Sequence, residues 1–378
     1  MGMDTRWMVA AWLSAFGSGC FPDVGYASKP EDGGPDTPSS ETSSDVATET
    51  PTEAGGDVAG DSGPDVAPDG PVEAEAGPAP VEETVLIEPG TGGFSLRPWR
   101  VYGPDPMQQV QLQLTHAFRL DRYEVTTRRY REWVLKNRPL PCDGCSLDPG
   151  GPYESQMIWR PEWTQAYESE LLHPLENCWL PVTDAGISSW PASAQDDVWV
   201  YPMTCVTWFD AVAFCHWEGK RLPTHAEWVY AARGGPSARS YPWGEEPPGS
   251  CADATYNLVG QAGPYCGFPV PIGSAPNDLS PAGMHDMAGS VFEWVWDVDW
   301  TMQPPPSNAI DHLGPEDLGT MGDAGEWAGR TRKGGSFVVP LGMGDTRMTI
   351  DVFDSYSPFE YYADSGFRCA QSGPLATR

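Results

Sequence analysis

The side chains able to do chemistry are nine cysteines and six histidines, set among 53 acidic and 22 basic residues. The histidines are His116, His173, His216, His225, His285 and His312. No two stand three or four apart, so no helix face offers a ready zinc or iron site. Each therefore reads as a surface or capping residue. No nucleophile elbow, phosphate-binding loop or dinucleotide fingerprint occurs. Cys142-Asp-Gly-Cys145 is a C-x-x-C pair, but Pro141, Asp143 and Gly144 surround it. A redox pair wants a following helix and an electropositive site, so this pair reads as a structural staple of a loop. A zinc knuckle needs a second matching pair, which the sequence lacks.

The segments that must position these residues begin with an export signal at 1–20. It has one basic side chain, Arg6, then an apolar run from Trp7 to Phe16 and small residues up to Cys20. Such a run is too short for ~30 Å of hydrocarbon, so it reads as a leader and not a stable membrane helix. Small residues directly before a cysteine match a bacterial lipobox, except that Gly17 stands where leucine is usual. Cys20 is then the lipidated residue, and the alternative is an ordinary cleaved signal with Cys20 incidental. Residues 21–83 read as a disordered linker rich in acidic residues, Pro, Gly, Ser and Thr. Between 21 and 90 there are 17 acidic residues, one basic residue (Lys29), 11 prolines and no tryptophan. So little apolar mass cannot offset the entropy of ordering. That stretch carries −16 of the net charge of −31, so the rest is only moderately acidic. The overall charge repels phosphate backbones and excludes nucleic-acid binding. Localisation follows: a bacterial cell envelope, membrane-anchored through Cys20 and in contact with the membrane only there, or otherwise periplasmic or secreted.

Removing Cys20 leaves Cys142, Cys145, Cys178, Cys205, Cys215, Cys251, Cys266 and Cys369, an even number that implies disulfides in an exported chain. Eight cysteines allow 105 pairings, so spacing settles little. The folded part, 84–378, holds 15 of the 17 tryptophans. Order should begin near Thr84. Residues 118–125 alternate like a strand, and Thr126 caps a helix reaching about Lys136. Residues 139–200 form a Cys-containing insert, too aromatic to be disordered. Thr207 caps a helix Trp208–Glu218, and Thr224 with Glu227 makes a capping box for a helix to Arg233 that Gly234 and Gly235 stop. Short strands between turns follow. The composition alone supports an exported, disulfide-bonded, Trp-rich α+β domain.

Read together, the motifs go further. Tyr123-Glu-Val-Thr126, Val206-Thr-Trp-Phe-Asp-Ala211, Gly219-Lys-Arg-Leu-Pro-Thr224, Ala226-Glu-Trp228 and Tyr230-Ala-Ala-Arg-Gly234 come first. Tyr241-Pro-Trp-Gly244, Gly283-Met-His-Asp-Met-Ala-Gly289 with Glu293-Trp294, Gly334-Gly-Ser336 and Gly366-Phe-Arg368 follow. In order and spacing this resembles the formylglycine-generating enzyme, or sulfatase-modifying factor, family across about residues 84–374. The resemblance implies an α+β fold, a C-type-lectin-like variant with little regular secondary structure. Trp208, Trp228, Trp294 and Arg368 are then core and hydrogen-bond scaffolding.

The family's oxidases hold copper between two cysteines after Gly-Gly-Ser, and here those positions are Val339 and Gly344. Copper(I) needs thiolates, and neither residue offers a donor. The copper oxidase chemistry is therefore not expected, and no catalytic residue is assigned. A second branch of the family makes carbon–sulfur bonds with iron held by histidines in an extra helical domain, and residues 21–90, which read as disordered, are not expected to form it. A third branch, which includes bacterial surface lipoproteins, lacks the copper cysteines as this chain does.

Lys333, His225, Ser290 and Phe292 depart from the common Arg, Glu, Asn and Trp, which leaves the substrate of a cleft beside Ser336 and Phe292 in doubt. The leading reading is a surface-anchored binding or scaffolding domain for a protein or glycan ligand. The alternatives are an oxidoreductase of the formylglycine-generating type with relocated metal ligands, and a lectin-like receptor that uses exposed tryptophans. The resemblance also pairs Cys215 with Cys369. Cys251 and Cys266 lie across a turn-rich segment and pair plausibly, with Cys142–Cys145 and Cys178–Cys205 completing the set. The family's structural calcium maps onto Asp286, the carbonyls of Gly289 and Val291, and Glu293. The family's other calcium site is incomplete, because Asn257 and Leu258 match but Pro264 stands where its acidic ligand belongs.

Overall fold

The computed structural model describes residues 83–373, apart from 91–92, 101–108, 171–178, 181–186, 189–199, 257–265, 268, 301–304, 307, 315–327 and 339–347. All described residues belong to one compact unit, Gly77–Arg378. The leader, Cys20 and residues 21–82 lie outside the described residues, as do Cys178, Asn257, Leu258, Pro264, Val339 and Gly344.

In chain order the elements are β1 (Thr84–Ile87), β2 (Phe94–Leu96), β3 (Trp99–Arg100), β4 (Val110–Gln113) and β5 (Phe118–Asp121). Helices α1 (Thr127–Leu135) and α2 (Pro161–Glu170) follow, then β6 (Trp179–Leu180), β7 (Ile187–Ser188), α3 (Trp208–Trp217) and α4 (His225–Arg233). The remainder is strand: β8 (Phe292–Val298), β9 (Ala309–Ile310), β10 (Arg330–Lys333), β11 (Val352–Tyr356), β12 (Ser365–Phe367) and β13 (Ala370–Ser372). The fold is α+β, with short elements held by many turns.

The central sheet runs β12-β8-β10-β11-β3, with smaller sheets β1-β5-β13, β2-β4-β9 and β6-β7. Strand β8 lies second from the edge, and all seven of its residues are buried. Its side chains alternate between faces. Trp294 and Trp296 join the core cluster of α3 and the insert, while Val295 joins that of α4. The same alternation carries Glu293 and Asp297 to the α4 side, where both need partners. Indole N–H groups tie the layers together: Trp208 donates to the Val295 carbonyl and Trp294 to that of Val206, each at 2.9 Å.

The helix starts are where the capping residues place them. Thr126, Thr207 and Thr224 each accept from a first-turn backbone N–H, and the last two complete capping boxes with Asp210 and Glu227. Gly234 ends α4 in the left-handed region, at φ 67°. Two expectations change. The strand expected over 118–125 stops at Asp121, because its partner β1 begins at Thr84, opposite Asp121. Tyr123, Glu124 and Val125 thereby leave the ladder. The described tryptophans do not form an exposed surface: of the ten whose side chains are described, eight are buried, leaving Trp217 and Trp243 partly accessible. Trp159 and Trp163 of the insert pack with Trp208 and Phe209 of α3, so this stretch completes the core. Among the described residues no helix is long and apolar enough to cross a membrane.

Candidate functional site

The turn before β8 is built from backbone that few residues tolerate. Asp286 and Ser290 sit at φ 56° and 55°, with Gly289 between them at 79°. A Cβ on Gly289 would lie 2.2 Å from the Thr255 carbonyl oxygen, so only glycine fits. The turn is clamped on two sides. Gly289 N–H donates to the Gly334 carbonyl, Ser290 N–H to that of Thr255, and Phe337 N–H to that of Ser290.

Arg368, fully buried at the end of β12, organises this region. Its Nε donates to Glu293 Oε2 at 2.7 Å and its Nη2 to Oε1 at 2.6 Å. Nη1 reaches the carbonyls of Asp121 and Arg122, and Nη2 those of His285 and Asp286. Trp228 Nε1 also donates to Glu293 Oε2, at 2.8 Å. Glu293 therefore keeps about one acceptor direction, on Oε1.

Three further buried carboxylates stand nearby. Asp286 Oδ2 accepts from Gly273 N–H at 2.6 Å, and Asp278 Oδ2 from Ala288 N–H at 2.9 Å. Asp278 Oδ1 and both oxygens of Glu124 have no hydrogen-bond partner. Burial, with the Asp286 and Glu293 charges, pushes Glu124 well above the usual carboxylate range. Burial raises Asp286 to about 6 against the Gly273 N–H and the Arg368 charge, and the Glu293 charge adds to the rise. Burial and then the Asp286 charge raise Asp278 likewise. Four carboxylates thus face one guanidinium. Oxygen donors in excess of their positive partners suit a hard divalent cation. Of the side chains mapped onto calcium, Asp286 has capacity to spare, while Glu293 is largely committed to Arg368 and Trp228.

Side-chain contacts surround the two residues expected beside a cleft. Ser336 and Phe292 are both buried. The Ser336 hydroxyl donates to Asp364 Oδ2 at 2.8 Å. Phe292 covers Arg332, whose guanidinium lies 4.6 Å from that ring and 4.2 Å from Tyr356. Arg332 also bonds the Ser365 hydroxyl and pairs with Asp354 at 3.2 Å. Lys333, where arginine is usual, donates to the carbonyls of Ile350 and Val352, a task that requires no planar fork.

Disulfides join Cys215 to Cys369, Cys251 to Cys266 and Cys142 to Cys145. Cys205 is also disulfide-bonded, while Cys178 lies outside the described residues. Every described cysteine is therefore oxidised. Among the described residues Asp121, Glu218 and Cys369 could converge on a metal, but the sulfur is bonded to Cys215. Both carboxylates there are held by Arg129 and Lys220.

Two histidines depart from the surface-or-cap reading. His225 is fully buried, with its ring 4.0 Å from that of Trp300. His116 bridges Glu227 and Asp311 at 3.0 Å each. Sequence reasoning missed Glu124 and Asp278. A charged residue alternating with apolar neighbours in Tyr-Glu-Val looks solvent-facing until the strand is seen to stop short of it.

Residues 71–373 match the model of the sulfatase-modifying factor enzyme 1-like domain. The formylglycine-generating enzyme of Thermomonospora curvata is 31% identical over 291 residues, covering 71% of this chain and 85% of the relative. The inactive C-alpha-formylglycine-generating enzyme 2 of Bos taurus is 29% identical over 218 residues, 51% of this chain and 63% of the relative. Among solved structures, that of PvdO from Pseudomonas aeruginosa aligns over 77% of this chain and 94% of its own, at 20% identity and a TM-score of 0.48.

Proposed function

The chain belongs to the sulfatase-modifying factor family, and from that membership we propose that it is an exported, lipid-anchored binding or scaffolding module without the family's copper oxidase chemistry. One observation carries the reading. The two positions that hold copper in the oxidases are Val339 and Gly344, and each described cysteine is consumed in a disulfide. Copper(I) needs thiolates, and a lone thioether such as Met343 does not replace two of them. The family contains proteins named as active and as inactive enzymes, so loss of the chemistry on a kept scaffold has precedent in its relatives.

The lipobox-like residues before Cys20 and the acidic stretch that follows them in the sequence support a role at the envelope surface. The ligand is a protein or a glycan. The lectin-like alternative keeps the fold resemblance, while eight of the ten described tryptophans are core residues. Calcium acts as a structural cofactor around Asp286 and takes no part in chemistry.

The test is to incubate the purified protein with copper and a Cys-x-Pro-x-Arg peptide and to follow the peptide mass. No change at the cysteine is expected. A mass loss there overturns the reading in favour of an oxidase with relocated ligands.

A further inference from the structure

We infer that the Cys142–Cys145 disulfide is a reversible thiol–disulfide exchange site, open to an external dithiol, and not a staple on which the fold depends. The three disulfides with both partners described differ in exposure. Cys215 and Cys369 are fully buried, and Cys266 is buried beside a partly buried Cys251. Cys142 is exposed and Cys145 half-buried. An attacking thiolate must reach a sulfur, so access singles out this pair. The space beside it is open, since a Cβ added at Gly144 would meet nothing within 4 Å. The exchange balances with a dithiol as reductant. One thiolate of the dithiol attacks Cys142 Sγ, the exposed end, and the Cys142–Cys145 bond breaks. The electron pair leaves on Cys145 Sγ, which takes a proton. The second thiolate of the dithiol then attacks the reagent sulfur of the mixed disulfide and releases Cys142, which is protonated in turn. The protein is reduced to two thiols, and the dithiol is oxidised to a disulfide.

The turn is held without its disulfide. Cys145 N–H donates to the Cys142 carbonyl at 2.9 Å, with Gly144 at φ 77° in the third position of a β-turn. Gly144 N–H donates to the Trp159 carbonyl at 2.8 Å, and Trp159 N–H to that of Cys145 at 2.9 Å. Asp143 Oδ1 accepts from the Thr164 hydroxyl at 2.7 Å, which ties the turn to α2. Trp159 is itself fully buried, against Trp163 and Phe209. None of these contacts runs through a sulfur. The reduced thiols therefore stay adjacent, and the disulfide re-forms when an oxidant is supplied. A link across a separation of 3 also restrains the unfolded chain far less than one across 154.

The experiment treats the folded, oxidised full chain with graded dithiothreitol, quenches with an alkylating agent and maps the labelled peptides by mass. Cys142 and Cys145 should be labelled about tenfold faster, or more, than Cys215, Cys369, Cys251 and Cys266. Protein reduced at this pair alone should keep a cooperative melt with Tm within about 5 °C of the oxidised form. Removing the dithiothreitol and adding oxidised glutathione should restore the disulfide. Cys145→Ser leaves Cys142 as the free thiol, and Cys142→Ser leaves Cys145. Alkylation should be faster in the first, because Cys142 is the exposed sulfur. Should the single variants misfold, the wild-type labelling order and Tm still decide. Labelling of this pair no sooner than the buried pairs overturns the inference. So does loss of the cooperative melt when only this pair is reduced, since that is how a structural staple behaves.

Discussion

Replacing Arg368 with methionine removes the guanidinium that joins β5, the 285–286 turn and β8. The structure sets the size of the effect. Glu293 loses its two contacts at 2.6 and 2.7 Å and keeps only the Trp228 N–H, inside a site that excludes water. Removing one partner of such a buried pair costs about 3–5 kcal/mol. Four carbonyls lose a donor as well, at about 1 kcal/mol each when unrelieved. The packing of methionine against Trp228 recovers part of this. The expected net loss is about 4–5 kcal/mol, at the upper end for one substitution. Urea unfolding followed by tryptophan fluorescence measures it. Glu293→Gln in the Arg368→Met background should recover about 2 kcal/mol, because a neutral amide no longer demands a cation. A loss under about 1 kcal/mol for Arg368→Met, or strict additivity of the two changes, would show that Arg368 is not the hub described here.

Two further perturbations follow from the same structure. Cys215→Ala with Cys369→Ala opens a link across 154 residues and should cost about 5 kcal/mol if unfolded-chain entropy dominates. Unchanged urea stability of the double variant would refute this. Burial opposes the charge on His116, but its hydrogen bonds to Asp311 and Glu227 and their charges win and raise its pKa to about 9. Because the folded value is raised, this contribution is complete below about pH 6.5 and fades as pH climbs to about 9. Stability should fall by roughly 1–2 kcal/mol across that window, after allowance for screening at a partly exposed ring. His116→Gln should flatten the fall, and a slope that survives the substitution assigns it to another group.

Local features of the molecule were legible without coordinates, because they are decided within a few residues. Thr126, Thr207 and Thr224 cap the helices that start beside them, since a threonine hydroxyl satisfies N–H groups two or three positions on. Gly234 ends α4 because it alone there accepts a left-handed backbone cheaply. The family and the disulfide of Cys215 with Cys369 were readable from motifs in order. The site was not readable, because partnership between charges depends on contacts across the chain. Arg368 and Glu293 are 75 residues apart, and Glu124 is left bare only because β5 stops at Asp121 and Arg368 spends its donors elsewhere. Tryptophan burial was likewise undecided by composition. An indole is apolar enough for a core and polar enough for a surface, and only the carbonyls of Val206 and Val295, brought within 2.9 Å by packing of α3 on β8, settle the matter.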